Sequence, residues 1–244
     1  MYVGIDVGTS MVKAAAFDRG GRELAVEARP VGLSLRGGAV EQDMEEVYGA
    51  VVAVLRALTA RVPEPVELAG LTGQGDGVWL VDAAGRPVRP AASWMDGRAH
   101  ALVDQWLADG TFESVFRRTG SAMFPGCPGP LLAWLDRYEP TSLEAAAAAV
   151  YCKDMVFQRL TGAARAVTDV SDASMPFLDP RTRSYDNRVV ELLGLTHRRG
   201  LFAPVSDPVA TGERAARAAA RHPAGERPVR PAGLCARRGR HRAR

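Results

Sequence analysis

Three short segments at the start of the chain have the alternating or continuously apolar character of β-strands. They are Tyr2–Val7, Val12–Phe17 and Glu23–Ala28, and glycine-rich turns separate them. Runs of this length bounded by turn residues predict strands, and the pair Gly20-Gly21 predicts a tight turn between the second and the third. Three strands in immediate succession favour an antiparallel meander.

A change of period after these strands predicts the first helix. Its apolar residues recur with the spacing of one helical face: Met44, Val47, Tyr48, Val51, Val54, Leu55 and Leu58. Asp43 with Glu46 resembles a capping box at the start, and Pro63 and Pro65 end the helix. The pattern therefore predicts a helix over residues 43–60.

The elements that follow are shorter. The patterns predict strands over Val66–Thr72 and Val78–Asp82, and a helix over 97–109 with Asp96 as its N-cap. Further helices are predicted over 113–119, 130–138, 142–149, 154–161 and 187–194, with Gly162 and Gly194 as C-caps. Strand and helix do not alternate strictly enough for a doubly wound parallel sheet. The order predicts an α/β fold whose mixed sheet begins in an antiparallel meander and continues through a crossover.

Charge is distributed unevenly along this chain. From Glu213 to Arg244 there are ten arginines and two glutamates, whereas residues 1–212 carry 21 basic and 26 acidic side chains. The tail 213–244 has too few large apolar residues to offset its ordering entropy, so the folded domain is predicted to span residues 1–212. Two interpretations of the tail stay open: a disordered basic arm and, the one we favour, an out-of-frame extension of a GC-rich gene.

Composition narrows the class of protein. Hydrophobic residues make up 47% of the chain, which supports a real core, but no run of about 18 apolar residues marks a membrane span. Asp6 interrupts the apolar start of the chain, so no signal peptide is expected. The cysteines Cys127, Cys152 and Cys235 lack the spacing of a disulfide framework or a zinc site. We expect a cytoplasmic protein with neither a membrane nor a nucleic-acid partner.

The segment from Gly4 to Lys13 is the most informative for chemistry. The first strand delivers Asp6 to a tight turn that Gly8 permits. The backbone amides of Gly8, Thr9 and Ser10, with the hydroxyls of Thr9 and Ser10, are suited to bind phosphate. Asp6 would repel phosphate directly, so it is predicted to bind a phosphate-bound Mg²⁺. The alternative interpretation is an ordinary hairpin with Asp and Gly in its turn.

A second glycine-rich segment, Gly73-Gln74-Gly75-Asp76-Gly77, lies between two predicted strands. The glycine spacing is wrong for a dinucleotide fingerprint, and no predicted helix follows to offer its N-terminus to a phosphate. Gln74 and Asp76 at strand ends can instead hydrogen-bond the hydroxyls of a polyol, unless the segment is a plain hairpin turn.

A strand-to-helix junction adds a third group of candidates. Asp96 is either a helix cap or a substrate ligand, Arg98 could pair with it, and Trp94 is interpreted as a core residue.

Taken together, these residues resemble the FGGY family of carbohydrate kinases. The matching pieces occur in family order: Gly4–Ser10 with Lys13, Glu41–Asp43, Gly73-Gln74, Leu80–Asp82 with Gly85, Trp94–Arg98, Leu132–Trp134, Lys153-Asp154, Leu160–Gly162 and Asp172–Ser174. Each piece is weak alone, but the ordered set is specific. Gly73–Gly77 is most similar to the erythritol kinase subgroup, with L-xylulose-type kinases next. The family's signature lysine before Trp134 is replaced by Leu131.

The resemblance implies an actin-like, ribonuclease-H-like lobe with helices on both faces of its sheet. It also implies transfer of phosphate from ATP, with Mg²⁺, to a hydroxyl of a sugar or polyol. The implied cofactor-binding residues are Asp6, Gly8, Thr9, Ser10 and Lys13, with Asp6 at the metal. The implied substrate-binding residues are Gln74, Gly75, Asp76, Asp96 and Arg98.

The same resemblance implies parts that the chain lacks. Family members have a second lobe that completes the ATP site, and their catalytic aspartate follows shortly after the position of Pro208, where this chain continues into its arginine-rich tail. We therefore assign no catalytic residue and expect the chain alone to be inactive or nearly so. Alternatives are a non-catalytic sugar-binding remnant, another actin-like ATPase, and a nucleic-acid-binding protein with a basic arm. A homo-oligomer is possible.

Overall fold

The computed structural model describes residues 1–206. The predictions for the tail 213–244 lie outside this part of the chain. The strands of the described residues are β1 (Tyr2–Val7), β2 (Met11–Phe17), β3 (Glu23–Pro30), β4 (Ser34–Arg36), β5 (Ala39–Gln42), β6 (Leu68–Gly73), β7 (Trp79–Val81), β8 (Ala91–Ala92), β9 (Ala148–Val150), β10 (Leu178–Asp179) and β11 (Ser184–Tyr185). The helices are α1 (Met44–Arg61), α2 (His100–Ala108), α3 (Thr111–Thr119), α4 (Pro128–Tyr138), α5 (Pro140–Ala145), α6 (Cys152–Thr161), α7 (Val170–Ala173) and α8 (Asn187–Leu192), followed by a 3₁₀ helix at Thr196–Leu201.

The main sheet has four strands in the order β3-β2-β1-β6. β1, β2 and β3 form the antiparallel meander, and β6 joins β1 in parallel after the crossover through α1. The predicted mixed sheet is therefore confirmed. Because β1 and β6 are parallel neighbours, Val7 and Gly73 end them side by side at the same edge of the sheet.

The buried face of this sheet packs against α1 and α6. Val3, Ile5 and Val7 of β1 belong to one apolar cluster with residues of both helices. On the opposite face Tyr2, Asp6 and Lys13 are exposed. A helix layer over that second face stays a prediction.

The N-terminus of α1 agrees with its sequence signal. The Asp43 carboxylate accepts hydrogen bonds from the amides of Glu45 and Glu46, at 2.8 and 3.1 Å. The Glu46 carboxylate does not return to Asp43 but accepts from the Gly32 amide at 3.0 Å. The helix thus has its predicted cap, and Glu46 fastens the preceding loop instead of completing a capping box.

A second apolar cluster is built mainly from α2, α3, α4, α5 and α8. The segment Val78–Val81 separates the two clusters, because its side chains alternate between them. Trp79 and Val81 contribute to the first cluster, and Val78 and Leu80 to the second. Leu131 is fully buried in the second cluster.

Two helix predictions need correction. The helix predicted over 97–109 begins at His100 with Ala99 as its N-cap, so Asp96 is not the cap. The Asp96 carboxylate is buried and accepts from the amides of Val40 and Arg98 instead. The helix predicted over 142–149 ends at Ala145, because Ala148–Val150 pairs with β7 as an antiparallel strand. Among the described residues, no helix is long and apolar enough to cross a membrane.

Candidate functional site

A cleft of about 360 Å³ opens where β1 and β6 end. Its lining residues come from the turn after β1, the loop after β6 and the segment after β8: Asp6, Gly8, Thr9, Gly73, Gln74, Gly75, Asp76 and Trp94. The two glycine-rich segments that sequence analysis treated separately therefore face one common space.

The turn after β1 is held by its own backbone. The Gly8 amide donates to the Met11 carbonyl at 3.0 Å, and a Cβ on Gly8 would stand 3.0 Å from that same oxygen. A side chain would crowd this turn, which accounts for the glycine. The Gly8 amide is used within the turn, so the predicted phosphate contacts would fall to the amides of Thr9 and Ser10.

Asp6 is exposed and lines the cleft at the end of β1. No group of three or more histidine, cysteine, aspartate or glutamate side chains within residues 1–206 could enclose a metal ion. Mg²⁺ is commonly bound through one or two carboxylates together with substrate phosphates and water. A single accessible carboxylate beside the turn fits that arrangement, in which the cation arrives with the nucleotide.

A chain of side-chain hydrogen bonds crosses the floor of the cleft. The Trp94 indole Nε1 donates to Thr9 Oγ1 at 3.0 Å, and Thr9 Oγ1 donates to Gln74 Oε1 at 3.2 Å. Gln74 Nε2 donates to Gln42 Oε1 at 2.7 Å and lies 3.9 Å from Cys152 Sγ. Thr9, Gln74 and Trp94 are thereby held in fixed orientations.

Asp76 lines the cleft with a carboxylate that is only partly satisfied. Its Oδ1 is buried and has no hydrogen-bond partner among the described residues. Burial, and secondly the negative charge of Asp172, raise the pKa of Asp76 to about 6. Its backbone is left-handed, with φ 54°, and Gly77 follows with φ 72°. Strain and an unpaired buried carboxylate together are typical of a ligand-binding position.

Behind Asp76 lies a group of charges on α6 and α7. Lys153 Nζ is ion-paired with Asp172 and lies 3.3 Å from Asp169. Asp169 also caps α7, accepting from the amides of Ser171 and Asp172. Burial raises the pKa of Asp172, and Lys153 opposes this rise. The ion pair of Lys153 and Asp172 thus places charged groups next to the Gln74–Gly77 loop.

The other predicted site residues lie elsewhere. Arg98 bonds both carboxylate oxygens of Asp96, reaches Glu41 at 3.0 Å and Glu139 at 3.2 Å, and covers the Trp134 ring at 4.8 Å. Neither Asp96 nor Arg98 lines the cleft, so their role toward substrate stays a prediction.

Lys13 and Ser10 are exposed, and like Asp96 and Arg98 they do not line the cleft.

Sequence reasoning missed the role of Trp94. It assigned this residue to the core, whereas the side chain is 43% exposed and lines the cleft. The reason is the path of the backbone: a Cβ on Gly126 would stand 1.7 Å from the Trp94 carbonyl oxygen, so only the missing side chain at Gly126 lets this segment lie there. A glycine distant in sequence gave no signal that could have been recognised.

Comparison with known proteins agrees with this geometry. The family model described as "FGGY family of carbohydrate kinases, N-terminal domain" matches residues 1–222. Erythritol kinase of Brucella abortus is 38% identical over 211 residues, covering 85% of this chain and 40% of that protein. L-xylulose/3-keto-L-gulonate kinase of Escherichia coli is 30% identical over 84% of this chain and 42% of its own length. The chain thus spans about two fifths of the relatives that it matches.

Solved structures show the same fold. A xylulose kinase from Rhodospirillum rubrum matches with a TM-score of 0.79 and 25% identity, over 95% of this chain and 48% of that one. A kinase from Brucella ovis titled "xyloylose kinase" matches with a TM-score of 0.76 and 28% identity, over 84% and 42% of the two chains. The predicted actin-like fold is confirmed. The protein belongs to the FGGY family of carbohydrate kinases, whose N-terminal domain it carries.

Proposed function

We propose that the cleft binds a sugar or polyol and that the chain serves in ATP-dependent phosphorylation of one of its hydroxyls. The observation that carries this proposal is the unpartnered Asp76 carboxylate in a cleft shared with the turn after β1. The names of the similar kinases support an open-chain substrate such as erythritol or L-xylulose.

The hydrogen-bonding capacity left in the cleft supports a ligand rich in hydroxyls. Both amide hydrogens of Gln74 have partners in Gln42 and Cys152, so its remaining capacity is one lone pair on Oε1. Asp76 Oδ1 is likewise an acceptor without a donor in the described part of the chain. Free acceptor capacity on two side chains that line the same cleft favours hydroxyl donors and disfavours a phosphate or carboxylate beside them.

The turn after β1 is suited to the transferred phosphate. We propose that Asp6 holds Mg²⁺ and that the amides of Thr9 and Ser10 contact phosphate oxygens; bound ATP with Mg²⁺ would supply the phosphoryl group. The base that accepts the hydroxyl proton and the remaining nucleotide contacts are proposed to lie outside residues 1–206. In this proposal the described residues orient the hydroxyl and do not deprotonate it.

Calorimetric titration of the purified chain with erythritol, L-xylulose and glycerol tests substrate binding. We expect saturable binding of erythritol or L-xylulose that Asp76→Asn weakens strongly. Asp104→Asn, at an exposed position of α2, is the matched control and should bind as the wild type does. Absence of binding to all three compounds, or equal binding by Asp76→Asn, would contradict the proposal.

Catalysis is tested separately, by ATP-dependent phosphorylation of the bound compound. We expect little or no turnover by the 244-residue chain alone. Full turnover that Asp6→Ala abolishes would support the kinase assignment and refute the expectation of inactivity. Binding without turnover under all conditions would favour the alternative of a non-catalytic sugar-binding lobe.

A further inference from the structure

We propose that Gln42 is a positioning residue that sets the direction of the hydrogen-bond chain Gln42–Gln74–Thr9–Trp94 and thereby makes the cleft an acceptor of hydroxyl groups. Gln42 is 1% exposed and does not line the cleft, so it acts through its neighbours. The inference rests on the proposed function and deepens it.

The first step is the orientation of the Gln42 amide. Its Nε2 lies 2.9 Å from the Thr9 carbonyl oxygen and 3.3 Å from the Gly32 carbonyl oxygen. Carbonyl oxygens only accept hydrogen bonds, so the NH₂ group must face them. The backbone thus determines which end of this amide is oxygen, a choice that side-chain positions alone leave open. Gln42 Oε1 consequently points at Gln74.

The second step passes this orientation to Gln74. Because Gln42 Oε1 is an acceptor, it takes a hydrogen from Gln74 Nε2, at 2.7 Å. The Gln74 amide is then turned with Oε1 toward Thr9, whose hydroxyl donates to it at 3.2 Å. With its hydrogen used in this way, Thr9 Oγ1 accepts from the Trp94 indole, at 3.0 Å.

The reverse orientation shows what Gln42 prevents. With Gln74 turned over, its NH₂ group and the Trp94 indole N–H would both point at Thr9 Oγ1. The cleft would then lose the Gln74 acceptor, and the Thr9 hydroxyl hydrogen would be released toward the ligand. A cleft with added donors favours carbonyl or phosphate oxygens over hydroxyls. Gln42 therefore helps to determine which class of ligand the cleft binds, and it also fixes the orientation of the neighbouring side chains.

The test uses two variants and a matched control. In Gln42→Leu and Gln42→Met both hydrogen-bonding ends of the side chain are removed, so neither variant can orient the Gln74 amide. The control is Gln158→Met, since Gln158 is also buried, at 4% exposure, but packs against Gly85 away from the cleft. The readouts are polyol affinity, melting temperature and the Trp94 indole N–H resonance, assigned by its disappearance in Trp94→Phe.

We expect both Gln42 variants to shift the Trp94 resonance and to weaken polyol binding by roughly tenfold or more, the effect of losing one well-placed hydrogen bond. Gln158→Met removes a buried amide oxygen that has no hydrogen-bond partner among the described residues, so it should leave the melting temperature unchanged or raise it, without moving the binding or the Trp94 readout. Wild-type binding that survives in a folded Gln42 variant with an unmoved Trp94 resonance would overturn the inference. If the wild type binds no polyol, the proposed function fails, and the Trp94 resonance still decides the role of Gln42.

A measurement on the unmodified chain covers the case in which neither variant folds. Both side-chain amide hydrogens of Gln42 are expected to exchange with solvent far more slowly than those of Gln105, which is exposed on α2. Equally fast exchange at Gln42 and Gln105 would overturn the proposed orientation.

Discussion

Asp76 shows how a binding group opposes the stability of the domain that carries it. Its pKa is raised from 3.8 to about 6, chiefly by burial and then by the charge of Asp172. A carboxyl group with a raised pKa holds its proton more tightly in the folded state than in the unfolded state. The protonated Asp76 therefore contributes fully to the free energy of unfolding below about pH 4. That contribution is lost as the pH rises through about 6. At neutral pH the ionised carboxylate is therefore retained at a cost in folding free energy.

The same pKa predicts a pH dependence of ligand binding. Only the ionised Asp76 accepts hydroxyl hydrogens at both oxygens, so polyol affinity should fall as the pH drops below about 6. We expect binding at pH 5 to be roughly tenfold weaker than at pH 8, as for a group one pH unit below its pKa. Titration calorimetry across this range measures the profile. Asp76→Asn should bind weakly with no bend near pH 6, and a bend that persists in this variant would assign the effect to another group.

Gly126 predicts a second effect at the residue scale. In Gly126→Ala the new Cβ would overlap the Trp94 carbonyl, at 1.7 Å, so the segment carrying Trp94 must move. We expect a loss of about 1–3 kcal/mol in the free energy of unfolding, together with weaker polyol binding and a shifted Trp94 resonance. Gly49→Ala is the control, because a Cβ there meets nothing within 4 Å on α1. That change should stabilise the chain by about 0.5–1 kcal/mol and leave binding unchanged.

Some residues of the candidate site can be recognised from the sequence, and others cannot. Thr9, Gln74 and Asp76 stand in glycine-rich turns at the ends of apolar strands, a local signal that singled them out as candidates in two separate segments. That the three residues line one cleft is known only from the structure. Gln42 and Trp94 depend on which segments meet in space. From the sequence, an apolar residue such as Trp94 is assigned to the core. Only the structure shows that a distant backbone segment places its side chain elsewhere.

At the scale of elements, α1 depends on its first turn. Asp43 satisfies two amides at the N-terminus of the helix that packs along the main sheet. Asp43→Ala should destabilise the chain by about 1 kcal/mol, while Asp43→Asn retains an accepting oxygen and should cost less. Urea denaturation of the two variants measures the difference. Equal stabilities would mean that solvent satisfies the helix end as well as the side chain does.

The elements predicted correctly are those with enough residues to show a period. β1 and α1 agree with the predicted ranges to within one residue at each end. β4 and β9 have three residues each, too few for a period, and they become strands only because β5 and β7 lie beside them. The segment 148–150 is rich in alanine, so its sequence favours a helix and tertiary pairing overrides that preference.

At the scale of the whole molecule, the cleft is built from the first 94 residues. Charge at the far end of the chain should therefore matter little for ligand binding. Residues 223–244, beyond the family match, carry seven arginines and one glutamate. We expect their removal to leave polyol affinity unchanged in titration calorimetry. Salt-dependent DNA binding that disappears with these residues would instead favour the hypothesis of a nucleic-acid-binding arm.

The side chains of Val78–Val81 alternate between the two apolar clusters, and this limits where residues can be inserted or deleted. A one-residue insertion or deletion inside this segment would exchange the clusters that its side chains fill, placing the indole of Trp79 in a space shaped for valine or leucine. The following turn, Asp82–Arg86, is closed by local hydrogen bonds and exposes much of its surface. Loop grafts and peptide insertions should consequently be accepted at this turn and rejected four residues earlier.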